Sequence, residues 1–168
     1  MSRTWSRRFD ARTLTYRDSH ELELCSDGIG LLLEPAGASV SIAMDVMNPC
    51  WILRGVDLTN GPRILAGVAA LPFNYEIGAD AAKIRVGDAR TAEGELEIRL
   101  DGCDTAVVAA LPLAPAMHSK RVSLLPAGRL PGLSGRHDLC FRFARPQLDP
   151  MWGLDSVEFE EKEANVEP

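Results

Sequence analysis

The sequence predicts an all-β protein built as an antiparallel β-sandwich, and three features indicate this fold. Apolar residues alternate with polar ones over many short segments, which is the period of a strand with one buried face. The 14 glycines and 11 prolines interrupt these segments as turns require. The 168 residues are 46% hydrophobic and 25% charged, ordinary values for a globular protein. We therefore expect one domain over residues 1–168, with a core of about 20–160 and polar ends.

Short strands follow one another along the chain. Residues 95–101 alternate most regularly, with Leu96, Ile98 and Leu100 on one face, which predicts an antiparallel strand whose charged face is solvated. Residues 64–71 are apolar on both faces and suit a central strand or a short buried helix. Further strands are predicted at 29–33, 39–46, 51–58, 106–113 and 122–124. This many short strands fit two packed antiparallel sheets of jelly-roll type.

Residues 135–159 form two alternating strands around an aromatic-bearing loop. In the first strand Phe141 and Phe143 share a face, and in the second Asp155 shares a face with Phe159. An acid on the inward side of a strand's first residue must be hydrogen-bonded, solvated at the sheet rim or bound to a cation, because burying a bare carboxylate is costly. Asp155 is therefore the candidate metal ligand of the chain.

Residues 71–93 interrupt the alternation and predict a long insertion. The segment presents Phe73, Asn74 and Tyr75 beside Pro72. Loops of this length in compact domains tend to be functional or to pack on a partner. We expect the insertion to cover a sheet edge, to line a binding groove or to dock on a neighbouring domain.

Charge and hydropathy disfavour two classes of partner. The formal net charge of −6 argues against nucleic acid, since binding a polyanion depends on clustered Lys and Arg. No apolar run approaches the roughly 20 residues that span a bilayer, and the first residues lack the apolar stretch of a secretion signal. Arginines crowd the start of the chain and glutamates its end, which is typical of two solvated termini. We expect neither a nucleic-acid nor a membrane partner.

The sequence shows no legible catalytic centre. Motifs for a serine nucleophile, a zinc protease helix or a nucleotide-binding loop do not occur. His137 and Asp138 are neighbours, but consecutive strand residues point to opposite faces and do not form a dyad. The four cysteines have no Cys-x-x-Cys spacing, and both two disulfides and buried thiols are compatible with them. They are Cys25, Cys50, Cys103 and Cys140.

Several ordered motifs resemble those of family 6 carbohydrate-binding modules. They are the Gly-Arg-His-Asp-Leu strand at 135–139, the Leu-Asp start of a strand at 154–155, the Trp-containing strand at 51–58, and Gly-Glu-Leu-Glu-Ile-Arg-Leu-Asp at 94–101. They occur in the family's order. The resemblance implies a galactose-binding-like β-sandwich that binds carbohydrate and has no catalytic centre.

This resemblance bears on which aromatic residues could bind a sugar. Trp152, in the loop before the last strand, either stacks on a pyranose ring or fills the end of the sandwich. Tyr75 and Asn74 in the insertion and His118 in the 114–119 loop are secondary candidates, whereas Trp51 is predicted to be core. Two departures weaken the sugar interpretation. The chain has Ala-Met-His-Ser at 116–119 where the family commonly has a Trp, and Gly153 where it commonly has an Asn.

The resemblance also implies a structural calcium ion. In the family, the acid of the Leu-Asp motif shares this ion with a Glu of the first strand and with backbone oxygens, ligands that calcium prefers. Here that acid is Asp155, and residues 20–25 are the candidate first strand, with Glu23 or Glu21 as the partner. The alternative is that Asp155 caps the sheet rim by accepting hydrogen bonds from backbone N–H groups.

A narrower similarity connects the chain to a glycosidase. Residues 48–51, 71–78, 100–103 and 136–140 resemble the region that follows the catalytic barrel in bacterial family 20 β-N-acetylhexosaminidases. The predicted function is a non-catalytic accessory module of a glycoside hydrolase that tethers glycan near a catalytic domain. The alternative is a structural module of the same fold that docks on a catalytic or partner domain and binds no sugar. An independent small enzyme is a third hypothesis, supported only by scattered His and Asp residues.

Overall fold

The structure is a computed structural model that describes residues 4–10, 23–24, 30–33, 42–45, 50–71, 88–119, 121–147 and 149–162, with side chains for 50–70, 88–119, 121–147 and 149–160. Within these ranges the chain forms twelve strands and one short 3₁₀ helix. The strands are β1 (Thr4–Asp10), β2 (Glu23–Leu24), β3 (Gly30–Leu33), β4 (Ile42–Asp45), β5 (Cys50–Asp57), β6 (Arg63–Leu71), β7 (Glu95–Leu100), β8 (Val107–Pro112), β9 (Ser123–Leu124), β10 (Gly128–Arg129), β11 (Arg136–Ala144) and β12 (Met151–Lys162), and the helix is Ala114–Ala116.

Two five-stranded antiparallel sheets carry the fold. The first sheet has the order β1-β12-β6-β10, with β9 also paired to β6, and the second has the order β2-β5-β11-β7-β8. Strands β3 and β4 form a separate antiparallel pair. The predicted all-β antiparallel sandwich is confirmed. Residues 64–71, for which a helix was the alternative, lie in the central strand β6.

The core lies between the two sheets and is built from the apolar faces of their strands. Trp51 of β5 is fully buried, as predicted, and its ring meets Phe143 of β11 edge to face at 5.6 Å. Phe143 in turn stacks on Trp152 of β12, with ring centroids 6.2 Å apart. Three aromatic rings therefore cross the core in a row. Offset and edge-to-face ring pairs of this kind add to the stabilisation that burial alone gives.

Strand β12 corrects the expectation for Asp155. The strand begins at Met151, so Asp155 is its fifth residue and not its first. A bulge between Leu154 and Ser156 inserts Asp155 as an extra residue, which shifts the alternation by one. The Asp155 carboxylate lies 3.6 Å from the Cβ position of Gly67, on the face opposite the buried Val157. Pairing with β1 ends next to it, at Ser156.

The prediction that β7 has a solvated charged face is wrong. Glu95 is 1% exposed and Glu97 is 7% exposed. Both buried carboxylates are hydrogen-bonded. Glu97 Oε2 accepts from Nε and Nη2 of Arg99 at 3.2 and 2.8 Å. Glu95 accepts from a backbone N–H of the loop before the strand. Regular alternation of polar and apolar residues therefore does not by itself indicate solvent exposure, because the polar face can also be buried when its carboxylates are hydrogen-bonded.

The two termini are not independent solvated tails. Strand β1 pairs with β12 in an antiparallel register that sets Arg7 opposite Phe159 and Arg8 opposite Glu158. The arginine-rich start and the glutamate-rich end of the chain therefore lie side by side in the first sheet.

Within the described residues, no helix has both the length and the apolar character needed to cross a membrane.

A disulfide bond joins Cys103, in the loop after β7, to Cys140 of β11, with a Cα–Cα distance of 5.2 Å. Cys50 is also disulfide-bonded. The sequence was compatible with disulfides or with buried thiols, and these three cysteines form disulfides. Cys25 lies outside the described residues.

Candidate ligand pocket at one end of the sandwich

A pocket of about 140 Å³ opens at one end of the sandwich. Strands β7 and β12 begin at this end, and β11 ends there, so the antiparallel pairing brings their connecting segments together. The lining residues are Ala92, Glu93, Met117, Arg145, Pro146, Gln147, Asp149, Pro150 and Trp152. Apolar walls with a few polar groups are typical of small-ligand sites.

Trp152 forms one wall of this pocket but is not an open platform. Its side chain is 1% exposed and stacks on Phe143 with an interplanar angle of 22°. Trp152 was predicted either to stack on a pyranose ring or to fill the end of the sandwich, and its buried position is the second of these. Trp152 borders the pocket and remains a candidate ligand contact. Neither face of its ring is free for a pyranose to stack on.

The loop before β7 builds the wall opposite. Thr91 and Gly94 close a tight turn, in which the Gly94 N–H donates to the Thr91 carbonyl at 3.2 Å and the Thr91 hydroxyl donates to the Gly94 carbonyl at 2.8 Å. The buried Glu95 carboxylate fixes the same turn by accepting hydrogen bonds from the backbone N–H groups of Arg90 and Thr91 at 2.6 and 3.2 Å. Ala92 and Glu93, at the tip, are thereby held against the pocket.

Gly94 is required for this arrangement. Its φ of +85° lies in the left-handed region that favours glycine, and a Cβ there would overlap the Ala144 carbonyl oxygen and lie 3.0 Å from Arg145 Cα. The close approach of the loop to the end of β11 thus depends on the missing side chain. This approach sets the position of the first residue after β11, Arg145.

Arg145 is the charged group that the sequence did not single out. Its side chain is 2% exposed, and among the described residues neither Nη1 nor Nη2 has a hydrogen-bond partner. Burial lowers the pKa of the Arg145 guanidinium. An arginine between a strand and a proline carries no sequence pattern that predicts burial, because only the packing of the surrounding loops covers it.

Of the other predicted sugar-binding residues only His118 is described, and it does not line this pocket. His118 is exposed and follows Met117, which lines the pocket, but is itself not part of the wall. Tyr75 and Asn74 lie outside the described residues, as does most of the 71–93 insertion. Their assignment stays a prediction.

The predicted metal ligands lie elsewhere. Asp155 is 4% exposed, and the backbone of Glu23 pairs in β2 while its side chain is outside the described part. Among the described residues, three or more potential ligand atoms cluster only at the sulfurs of Cys50, Cys103 and Cys140, all within 4.8 Å of one another. These sulfurs are in disulfides and are not the thiolates that bind metals.

A polar cluster occupies the opposite end of the sandwich. His137 Nδ1 lies 2.9 Å from Asp101 Oδ2, and its Nε2 lies 3.0 Å from the Ser134 carbonyl oxygen. Asp138 points elsewhere, as predicted, and accepts from the Gly55 N–H at 3.0 Å and from Arg54 at 3.2 Å. These groups tie loops to strands and contain no dyad between His137 and Asp138.

The cluster shifts the ionisation of its members. The hydrogen bond with Asp101, followed by the one with Ser134, raises the pKa of His137. The hydrogen bond with His137, followed by that from the Asp138 N–H, lowers the pKa of Asp101. The charged forms of both side chains are favoured in the folded state.

Comparisons with known proteins identify the fold. No family model and no curated protein matches the chain. Among solved structures, a family 6 carbohydrate-binding module from Clostridium cellulolyticum in complex with xylose is similar, with a TM-score of 0.58 and 16% identity over 92% of this chain and 97% of that one. A carbohydrate-binding module, CBM36, in complex with calcium and xylotriose has a TM-score of 0.55 and 8% identity over 91% and 98% of the two chains.

A larger enzyme contains the same fold. A glycoside hydrolase family 43 arabinoxylan arabinofuranohydrolase from Bacillus subtilis, in complex with cellotetraose, has a TM-score of 0.55 and 16% identity over 91% of this chain and 26% of that one. The chain therefore has the fold of family 6-like carbohydrate-binding modules, a galactose-binding-like β-sandwich.

Proposed function

We propose that the chain is a non-catalytic carbohydrate-binding module and that it binds one sugar residue in the pocket between the loop before β7 and the start of β12. The pocket is the observation that carries this proposal. Proteins with the same fold, at low identity, are carbohydrate-binding modules solved with xylose and xylotriose.

The chemistry of the lining supports a sugar ligand. Met117 and Pro150, beside the edge of Trp152, offer apolar surface for the C–H groups of a pyranose, while Gln147 and Asp149 line the same pocket with polar groups. About 140 Å³ is small beside the roughly 300 Å³ at which pockets for drug-sized ligands begin. The pocket therefore suits the end of a glycan, or one residue of it, rather than several residues of a chain.

A glycan array followed by calorimetry on the best ligand tests this proposal. Truncating Trp152 is a poor test, because removing a buried indole costs about 3–5 kcal/mol of stability and confuses unfolding with loss of binding. Ala92 and Gln147 are exposed and line the pocket, so Ala92→Trp would block it and Gln147→Ala would remove a polar contact. We expect each change to weaken binding at least tenfold with the fold intact.

Two controls make this test specific. His118→Ala alters an exposed residue next to the lining, and Arg129→Ala alters an exposed residue on β10, which pairs with the far end of β6. Both should leave the affinity unchanged. Unaltered affinity in Ala92→Trp and Gln147→Ala would move the sugar site elsewhere and contradict the proposal.

A second candidate function is a structural module that docks on a catalytic or partner domain and binds no sugar. The observation that favours it is the covered ring of Trp152, together with the absence of a Trp, Tyr or Phe at 116–119. Absence of binding to every glycan, combined with saturable binding to a purified catalytic domain, would select this function over the first.

We also propose a structural calcium ion at Asp155, with Glu23 as partner. The described residues supply a single buried carboxylate there, and Asp155 belongs to no described group of three or more His, Cys, Asp or Glu ligand atoms. Calcium takes six to eight oxygen ligands, so Asp155 alone would not hold the ion, and Glu23 and backbone oxygens would have to supply the others. A calcium-dependent rise in Tm that is absent in Asp155→Asn would support the site, and an unchanged Tm would exclude it.

Attachment to a glycosidase is the remaining part of the proposed role. Tethering would raise the local concentration of glycan near an active site without any new chemistry. The association with a β-N-acetylhexosaminidase rests on the sequence similarity at 48–51, 71–78, 100–103 and 136–140. Comparing turnover of an insoluble N-acetylhexosamine glycan by a hexosaminidase domain with and without the attached chain would test it, and equal turnover would contradict it.

A further inference from the structure

We propose that the pocket selects an anionic sugar residue, and that Arg145 binds its carboxylate or sulfate ester. This inference rests on the proposed carbohydrate-binding function and specifies the ligand class of the same site. It follows from the environment of Arg145 rather than from the fold.

Among the residues that the structure describes, no counter-ion meets the buried guanidinium of Arg145. The side chain is 2% exposed, and neither Nη atom has a hydrogen-bond partner among the described residues. Glu93 and Asp149 line the same pocket, yet neither carboxylate is bonded to these two nitrogens. The two NH₂ groups of the planar guanidinium therefore make no hydrogen bond to the described residues.

An unpaired buried cation is rare because it is unfavourable. Removing a charge from water is costly unless an opposite charge and hydrogen bonds replace the lost hydration. The two half-buried arginines of the described residues, Arg99 and Arg142, donate to a carboxylate and to a carbonyl oxygen, respectively. Neither Nη of Arg145 has such an acceptor in the part of the chain that the structure describes, and Arg145 lines the pocket, so an acceptor would enter through the pocket.

The shape of the guanidinium identifies the chemistry of that acceptor. Two parallel N–H groups match the two oxygens of a carboxylate, or two oxygens of a sulfate ester, and such charge-assisted pairs are stronger than bonds to a neutral hydroxyl. Because both Nη atoms are covered in the structure, an acceptor in the pocket would reach them only after a change of the Arg145 side-chain rotamer. Glu93 and Gln147, which line the same pocket, would bond to hydroxyls of the same sugar.

The test compares matched sugars in calorimetry or NMR titration. The pairs are methyl glucuronoside against methyl glucoside, methyl galacturonoside against methyl galactoside, and galactose 6-sulfate against galactose. We expect at least tenfold tighter binding of the charged member of one pair, and the carboxylate and sulfate arms distinguish the two sources of negative charge. Equal or tighter binding of the neutral member in all three pairs would overturn the inference while leaving the proposed function standing.

Variants of Arg145 make the test residue-specific. Arg145→Met should abolish the preference for the charged sugar, and Arg145→Lys should retain only part of it, because a lysine keeps the charge but loses the fork. Arg129→Met removes the same charge from an exposed site on β10 and should leave the preference unchanged. A preference that survives in Arg145→Met would overturn the inference.

A stability readout guards against misfolding of the variant. Replacing an unpaired buried cation by an apolar side chain of similar length is neutral or stabilising, so without ligand Arg145→Met should have a Tm at or above that of the parent chain. A clear fall in Tm would show that Arg145 already has an internal partner, and it would overturn the inference. Absence of binding for all charged and neutral sugars would instead contradict the proposed function as well.

Discussion

At the scale of single residues, His137 shows how pairing creates a site that the sequence does not display. Alternation predicted correctly that His137 and Asp138 face apart, but its real partner, Asp101, is 36 residues away. The antiparallel pairing of β11 with β7 places Leu139 opposite Leu100 and so brings the loop residue Asp101 to the ring. Both neighbours of the imidazole, a carboxylate and a carbonyl oxygen, are acceptors, and only the protonated ring donates from both nitrogens.

The stability of the fold should therefore depend on the protonation of His137. Its pKa is raised in the folded state, so its stabilising effect is complete below the unfolded value of about 6.5 and is lost as the pH rises through the higher folded value. In His137→Gln, the difference in unfolding free energy from the parent chain should be larger at pH 5.5 than at pH 8.5, as measured by urea denaturation. Asp101→Asn should lower the His137 pKa in an NMR titration, and a difference independent of pH would contradict the assignment.

At the scale of an element, β7 shows that alternation of polar and apolar residues does not prove that the polar side chains are exposed to solvent. The strand occupies nearly the predicted residues, yet its polar side is buried, because Glu95 and Glu97 bond to the preceding loop and to Arg99. The loop reaches this position only through Gly94. Its left-handed φ and the close approach of Ala144 are features of packing that the sequence marks with no more than a glycine.

Two glycine variants separate backbone strain from packing at this loop. Gly94 and Gly135 have nearly the same φ, +85° and +86°, but a Cβ at Gly135 would meet nothing within 4 Å. Gly135→Ala should thus cost only the left-handed strain, about 1–2 kcal/mol. Gly94→Ala should cost about 2–5 kcal/mol because the overlap with Ala144 adds to that strain. Equal losses in urea denaturation would show that the contact with Ala144 contributes nothing.

At the scale of the whole molecule, the core holds the two sheets together, and a disulfide outside the core links two parts of the second sheet. Three aromatic rings cross the core, whereas the Cys103–Cys140 disulfide lies on the other face of the second sheet and spans 37 residues of the chain. It fixes the loop after β7 to β11, next to the sulfur of Cys50. The predicted single domain over 1–168 stays a prediction at this scale.

Removing this disulfide should destabilise the whole fold. The double variant Cys103→Ala/Cys140→Ala should lose about 2–4 kcal/mol of unfolding free energy, chiefly because its unfolded chain is less constrained. Both cysteines are replaced because a single free thiol, with the Cys50 sulfur within 4.8 Å, could exchange disulfides. Urea denaturation without reductant measures the loss. An unchanged midpoint and slope would show that the link contributes nothing to stability.

The sequence by itself determined the class of fold and the positions of most strands that the structure describes, including β5, β6, β7, β8 and β11. Period-two alternation reports directly which side chains face a core, and this information is local. Strand β1 was missed because its arginines give no such pattern, although pairing with β12 includes it in the first sheet. The start of β12 was placed four residues late because the bulge at Asp155 shifts the alternation.

Only the tertiary structure decided the candidate site. The pocket is formed by residues from three separate connecting segments, and the order of strands, not their sequence, brings these segments to one end. Burial of Arg145 and the covering of Trp152 have the same origin, since each depends on what packs over the residue rather than on the residue itself. Local pattern specifies which face of a strand points inward, whereas exposure, charge pairing and pocket shape are set by contacts between distant parts of the chain.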